Sequence, residues 1–247
     1  MRRHDLLDLA VANNVHWYTS MCAAHGISFV SRQQYWLSKE AMPPYHSNFV
    51  TASGPDDRHL QREALQSLRD ELGDGDWSVK DSYNALGLDR RGYSLHLRAQ
   101  WLCLDGPVVC PSYCTDEFYW TAISTQDELH EWVSFWSAQS ESAAHVQPPF
   151  PPAVLQNPEL TFLIGRFEGE NAAVAAANRS GHAVGVSNVV ARPDVQSVHW
   201  YSCIRTIQRV FPGLVVVGYG DGNEAAAMRD VGFRTLGGLS VWTAQPD

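Results

Sequence analysis

Residues 187–233 read SNVVARPDVQSVHWYSCIRTIQRVFPGLVVVGYGDGNEAAAMRDVGF, and several signals follow one another inside this stretch. Ser187-Asn188-Val189-Val190 closes an apolar run that predicts a strand over 182–191. Trp200, Cys203, Ile204, Ile207, Val210 and Phe211 then recur at the i, i+3, i+4, i+7 spacing of an amphipathic helix, predicted over 196–210 and stopped by Pro212-Gly213. Leu214 to Val217 is a short continuous apolar run bounded by glycine, the pattern of a strand buried on both faces, predicted over 214–219. A helix over 222–230 and a strand over 233–242 complete the order. One crossover helix between two strands, beside hairpin-joined strands, does not match the strict alternation of a doubly wound sheet.

Upstream, the same half predicts strands over 117–123, 160–167 and 171–178 and a helix over 126–138. That helix is announced by the capping box Thr125-x-x-Glu128, with Leu129, Trp132, Val133 and Trp136 on one face. The proline-rich run Pro148 to Pro152 lies within this half and is not a domain linker.

The motif also repeats. Ser47-Asn48-Phe49-Val50 returns as Ser187-Asn188-Val189-Val190, an offset of 140 residues. At that offset His59 falls on His199, Asp81 on Asp221 and Gly92-Tyr93 on Gly232-Phe233, and both copies close on a strand-like run ending in Trp101 or Trp242. The first half predicts a helix near 4–24 and strands near 27–38 and 46–52. A helix carrying Leu60, Ala64, Leu65, Leu68 and Leu72 then stops at Gly73, followed by a strand at Trp77–Val79, no helix between Asp81 and Gly92, and a strand over Tyr93–Trp101. The expected division is a degenerate unit over 1–105 and a second unit over 116–247. Gly106, Pro107 and Pro111 mark the connector at about 106–115.

Composition narrows the function. The chain has 247 residues, 45% of them hydrophobic, which is ordinary for a globular protein and long enough for one large core or two small ones. With 18 Lys and Arg against 27 Asp and Glu, the net charge of −9 offers no general attraction to phosphate backbones or anionic lipid. No apolar run spans a bilayer, and Asp5 and Asp8 interrupt the N-terminal stretch, so the expectation is a cytoplasmic protein with no membrane partner. Five cysteines do not suggest a disulfide framework, and Cys103, Cys110 and Cys114 lack zinc-ligand spacing, so no metal is expected. LVVVGYGDG at 214–222 imitates a dinucleotide-binding turn, but Asn223 stands where the third glycine belongs, and no P-loop, G-x-S-x-G or H-E-x-x-H occurs.

The element order of the second half, with the run NEAAAMRDVGF at 223–233, resembles the GNAT family, the Gcn5-related N-acyltransferases. With the first half included, the chain is similar to tandem-GNAT proteins. The resemblance implies an α/β fold of α+β type: two tandem GNAT-like units, each a mixed, mostly antiparallel sheet with a central parallel strand pair flanked by helices. It implies an amide-forming acyltransferase with no tightly bound cofactor. An acyl-CoA, or an acyl group on phosphopantetheine, is its co-substrate, laid as an added strand in the gap between Val184–Val190 and Leu214–Tyr219. Donor-binding positions carried over are Ser187, Asn188, Val189, Val190, Gln196, Ser197 and Asn223. The backbone N–H near Val189 or Val190 is the expected oxyanion donor.

Two departures stand out. In place of the family's glycine-rich pyrophosphate loop stands Gln196-Ser197-Val198-His199-Trp200-Tyr201, where His199 and Tyr201 crowd a pyrophosphate. The family's usual acid, a tyrosine before the Gly-Phe turn, falls on Met228. These losses suit a donor on a carrier protein, or an aminoacyl-tRNA, and equally a noncatalytic binding module. The expected acceptor is a small-molecule amine, as in specialised metabolism.

For proton transfer the candidates are His199, Tyr219 and Asp221. Each has a plain alternative: a histidine at a helix start pointing to solvent or packed between the two copies, a packing aromatic, and an Asx-turn or helix cap. Tyr35, Trp36, Tyr45, His46 and Asp81 form an aromatic and polar set in the first half that could line an acceptor site, or simply pack. Lys80-Asp81 could be a surface ion pair.

Overall fold

The computed structural model describes residues 2–73, 75–112, 118–139, 149–195 and 198–245. In chain order the elements are α1 (Arg3–His25), β1 (Val30–Ser31), β2 (Tyr35–Leu37), β3 (Phe49–Thr51), α2 (Arg58–Leu72), β4 (Ser78–Asp81), β5 (Tyr93–Leu104), β6 (Phe118–Ala122), α3 (Gln126–Gln139), β7 (Leu160–Phe167), β8 (Glu170–Ser180), β9 (Ala183–Ala191), α4 (His199–Val210), β10 (Val215–Gly220), α5 (Gly222–Asp230) and β11 (Arg234–Ala244). Two compact units result: Met1–Trp101 with Leu236–Asp247, and Leu102–Thr235. The protein is a mixed α/β fold in which parallel and antiparallel strand pairs are flanked by helices.

The boundaries differ from the expected 1–105 and 116–247. Residues 236–244 of β11 belong to the first unit, because they pair antiparallel with β4, Ser240 opposite Asp81 and Trp242 opposite Val79. The expected connector is ordered as far as the described residues reach. Val108 N–H donates to Gln208 Oε1, Gln208 Nε2 donates to Gly106 O, and Val109 N–H donates to Val231 O, so this segment is fastened to the second unit.

In the first unit the strands lie in the order β1-β2-β3-β4-β11-β5. β3 and β4 are parallel neighbours, Phe49 opposite Val79 and Val50 opposite Lys80, with α2 as the crossover that parallel pairing requires. Leu65 and Leu68 of α2 bury against Phe49, Val79, Trp77 and Leu86. α1 ends at Gly26, whose left-handed φ of 72° lets its N–H and that of Ile27 return to Ala23 O and Cys22 O.

In the second unit the end of β5 lies beside β10, and the order continues β10-β9-β8-β7-β6. β6 to β9 form an antiparallel meander, and β9 and β10 are parallel, joined through α4. β8 carries Ala172-Ala173-Val174-Ala175-Ala176-Ala177, all with 0% exposure. Successive strand residues face opposite ways, so this run is covered on both faces, and α3 and α4 each pack against the strand. Trp132 of α3 donates its Nε1–H to Leu163 O at 3.0 Å and Ala175 O at 3.2 Å, while Trp120 of β6 donates to Ser202 Oγ of α4 at 2.9 Å. Gly165, opposite Trp120, is glycine for space: a Cβ there would meet Phe118 at 2.5 Å and Trp120 at 2.9 Å.

The capping box at α3 forms as the spacing predicts. Glu128 N–H donates to Thr125 Oγ1, while Glu128 Oε2 accepts the N–H groups of Ser124 and Thr125. Those N–H groups lower the Glu128 pKa, the Ser124 amide most. Thr125→Ala is expected to lower global stability by about 1 kcal/mol, read from the urea midpoint at unchanged slope.

Candidate active site

β9 and β10 begin side by side and then part. Their register runs Ala183↔Val215, Val184↔Val216 and Gly185↔Val217, although β9 continues to Ala191 and β10 to Gly220. Where they last approach, Gly218 permits the contact: a Cβ there would lie 3.0 Å from Val186 O and 3.1 Å from Met228 Cε. On its other edge β9 is bulged. Ala176 faces Ser187 and Val174 faces Val190, so Asn188 and Val189 stand opposite the single residue Ala175. Asn188 takes a φ of 54°, a left-handed conformation that asparagine tolerates better than branched residues, and its Nδ2 donates to Ser187 Oγ at 3.0 Å. The bulge turns the Asn188–Val189 backbone away from a regular ladder, as bulges beside functional sites commonly do.

The parting of the strands opens a cleft of about 680 Å³ within the second unit. Asn188 to Ala191 of β9, Pro193, His199 and Trp200 at the start of α4, and Asn223, Glu224 and Ala227 of α5 line it, with Gln139 of α3. This size and the mixture of apolar walls with a few polar groups are those of small-ligand sites.

Four of the expected donor positions, Asn188, Val189, Val190 and Asn223, meet in this cleft, and Ser187 adjoins them. Gln196 and Ser197 lie outside the described residues. His199 also lines the cleft, but it is buried, with Nδ1 3.3 Å from Val195 O and its ring 5.8 Å from that of Trp200. Tyr219 is half-buried on β10 and is not a wall of the cleft. Asp221 is the exposed N-cap residue of α5, and its side chain makes no capping hydrogen bond. Met228 is fully buried in the second unit's core.

Glu224 is the group that the spacing did not single out. It follows Asp221 by three residues in the first turn of α5, and its side chain folds back over the end of β10: Cγ and Oε2 lie 2.9 and 3.1 Å from where a Cβ on Gly220 would stand. The residue as a whole is exposed, but its carboxyl is tucked against the end of β10, beside the cleft that the residue lines. Burial there, with the Asp221 charge second, pushes its pKa up to about 7.

The residues expected to receive an acceptor all belong to the first unit, and all but the exposed Tyr45 serve its packing or its turns. His46 is half-buried with both ring nitrogens satisfied: Nδ1 lies 2.9 Å from Pro44 O, Nε2 accepts from Trp17 Nε1 at 3.1 Å, and desolvation drives its pKa down to about 4. Trp36 is fully buried, edge-on to Tyr18, and Tyr35 stacks on Phe49. Tyr45 is exposed, at a φ of 63°. Asp81 accepts the N–H groups of Ala85 and Leu86 and shapes the turn after β4. Lys80-Asp81 is therefore not a surface ion pair. Both residues are buried, and Lys80 Nζ sits over the rings of Trp101 at 5.3 Å and Tyr18 at 5.7 Å. Asn48 and Asn188 also differ in use: Asn48 is buried and donates to Ser38 O and Glu40 O. Among the described residues no group of three or more His, Cys, Asp and Glu is placed to hold a metal, and no helix is long and apolar enough to cross a membrane.

A mixed sheet whose central parallel strands part beside a bulge, with the crossover helix starting at the opening, is the fold of the GCN5-related N-acetyltransferases. Solved structures agree with this assignment. A GCN5-related N-acetyltransferase from Kribbella flavida superposes with a TM-score of 0.63 at 14% identity, covering 96% of each chain. A putative acetyltransferase from the GNAT family of Novosphingobium aromaticivorans gives 0.53 at 16% identity, over 93% of this chain and 97% of that one. A conserved protein of unknown function from Staphylococcus epidermidis gives 0.55 at 11% identity, over 90% and 95%. No family model and no curated protein matches the sequence.

Because folding raises the Glu224 pKa from 4.5 to about 7, the protonated form is the one the fold favours. That contribution is complete below pH 4.5 and is lost as the pH rises through about 7. Urea unfolding of wild type and Glu224→Gln at acid and at mildly alkaline pH is expected to show the wild type losing more stability across this window.

Proposed function

We propose that the second unit is an N-acyltransferase site, which moves an acyl group from a pantetheine thioester to the amine of a small molecule. The observation that carries this reading is the bulged, diverging end of β9 beside a cleft that Glu224 also lines. The pantetheine arm would lie along the open edge of β9 beyond Gly185, hydrogen-bonded to backbone as an added strand. Its thioester carbonyl would meet the Asn188–Val190 bulge, where backbone N–H groups can hold the developing oxyanion.

Glu224, ionised, takes a proton from the incoming ammonium. The neutral nitrogen attacks the thioester carbon, the C–N bond forms and the C–S bond breaks; the nitrogen sheds its second proton, which passes through solvent to the leaving thiolate. A carboxyl with a pKa near 7 suits this task at neutral pH, since a base is most effective when its pKa lies close to the operating pH. Positioning supplies much of the remaining acceleration. The neighbouring Asp221 adds negative charge that favours a cationic amine at the mouth.

The start of α4 favours a donor on an acyl carrier protein over free CoA. His199 and Trp200 are bulky, buried and in the cleft wall where a pyrophosphate would need close approach to backbone. A phosphopantetheine on a carrier brings no pyrophosphate. We further propose that the two units descend from one ancestral unit, that the first has no thioester site, and that the protein works in the cytoplasm. The support for the second point is that residues 49 and 50 of β3 remain zipped to 79 and 80 of β4, where Lys80 is buried.

Native mass spectrometry with acetyl-CoA and with acylated carrier proteins, followed by amide formation with a panel of amines, tests the reading. Turnover is expected with a carrier-bound donor and to rise with pH as Glu224 ionises through about 7. Glu224→Gln is expected to lower kcat by about 100-fold or more with little change in donor binding. A wild-type pH profile in the Gln variant would remove Glu224 from the mechanism, and neither adduct nor turnover with any donor would leave a binding module.

A further inference from the structure

The first unit contains an arginine-lined cleft that the acyltransferase reading does not use. Arg62, Gly87, Asp89, Arg90 and Arg91 border a shallow, open depression of about 630 Å³. Its construction is regular. Arg62 and Arg69 stand seven residues apart on α2, close to two turns, and so project from one face. Arg62 donates to Leu86 O from both Nε, at 2.9 Å, and a terminal nitrogen, while Arg69 donates to Arg91 O at 2.7 Å and stacks on Tyr93. Together they fasten both ends of the segment from Leu86 to Arg91.

Each guanidinium needs a glycine beneath it. Gly87 and Gly92 have φ values of 62° and 74°, and a Cβ would lie 3.3 Å from Arg62 at the first and 2.8 Å from Arg69 at the second. The short 3-10 turn Leu88–Arg90 between these anchors carries exposed Asp89 and Arg90, and Arg91 follows, also exposed. The Asp89 carboxylate lies 3.6 Å from Arg90 Nε and is the one acidic wall of the cleft.

Positive charge is thus gathered in a chain whose net charge is −9. Burial comes first, and the charges of Arg91 and Arg58 next, in pulling the Arg62 guanidinium below its ordinary pKa, with Asp81 acting weakly the other way. Like charges held together in this way are relieved by an anion. Guanidinium forks match phosphate oxygens in pairs, and Arg62 commits two of its five N–H groups to Leu86. The space exceeds that of a lone phosphate.

From this geometry we infer that the Arg62–Arg90–Arg91 cleft of the first unit is a binding site for a phosphorylated small molecule. The phosphate sits against the Arg62 and Arg91 guanidiniums, and the organic part occupies the rest of the cleft. The site is separate in its residues from the thioester cleft and stands whether or not the chain is an acyltransferase.

The test is titration calorimetry of the full chain with inorganic pyrophosphate at low salt, with citrate in parallel. Wild type is expected to bind pyrophosphate saturably at one site, more weakly as salt rises. Because Arg90 and Arg91 are exposed, the Arg90→Ala/Arg91→Ala variant should keep the wild-type melting temperature while binding at least about tenfold more weakly. Arg90→Lys/Arg91→Lys, which keeps charge but loses the fork, should fall between the two. Undiminished pyrophosphate binding by the alanine variant would place the anion elsewhere and overturn the assignment. Absence of binding to wild type at millimolar pyrophosphate, or equally tight binding of citrate, overturns it too.

Discussion

Parallel hydrogen bonding between β9 and β10 stops after three residue pairs, and most of what the second unit can do follows from that interruption. A strand that loses its neighbour leaves a row of backbone groups wanting partners, which is costly unless water or a ligand supplies them. The bulge at Asn188–Val189 follows a few residues later on the opposite edge of β9, where the extra residue bends the strand and places its backbone out of step with β8. An opening created in this way is defined by backbone, so its shape tolerates side-chain change better than a pocket built from rotamers.

Holding such a gap open requires rigidity around it. β8 provides it by being nearly all alanine where the helices cross: small side chains bring α3 and α4 close to the sheet and leave few rotamers to adjust. The tryptophan hydrogen bonds, from Trp132 into the sheet and from Trp120 into α4, then fix the helices in register rather than merely against an apolar surface. The site accordingly rests on regular elements, and the start of α5 contributes a carboxyl able to change its charge near neutrality.

The periodic parts of this architecture were legible in the sequence because each is decided locally. The spacing from Trp200 to Ile207, the run at Leu214–Val217 and the box at Thr125–Glu128 each specify their element without reference to the rest. Glu224 was not legible. An acid in the first turn of a helix is ordinarily read as answering the helix dipole, which lowers its pKa, whereas here folding back over Gly220 and the nearness of Asp221 raise it. Those are consequences of tertiary placement. Lys80 and Asp81 carried a signal that was available: adjacent residues on a strand face opposite ways, so the pair could not meet. His46 and Trp36 resembled a binding set because aromatic and polar residues look alike whether they line a site or fill a core, and only the hydrogen bonds to Pro44 and Trp17 decide between them. The return of β11 to β4 was hidden for a different reason, since strand pairing across more than 150 residues leaves no trace in local spacing.

That return has a consequence for biosynthesis. Residues 236–244, which close the first unit's sheet against β4, leave the ribosome after the whole of the second unit has been made. Until then β4 has its β11 edge exposed, in a segment that includes a buried lysine and fully buried valine. The first unit is therefore the last to be completed, although most of it is translated first, and vectorial folding from the N-terminal side stalls there. During that interval its unpaired strand is a template for any other extended segment, which makes the nascent chain, rather than the finished fold, the form most in need of a holding chaperone.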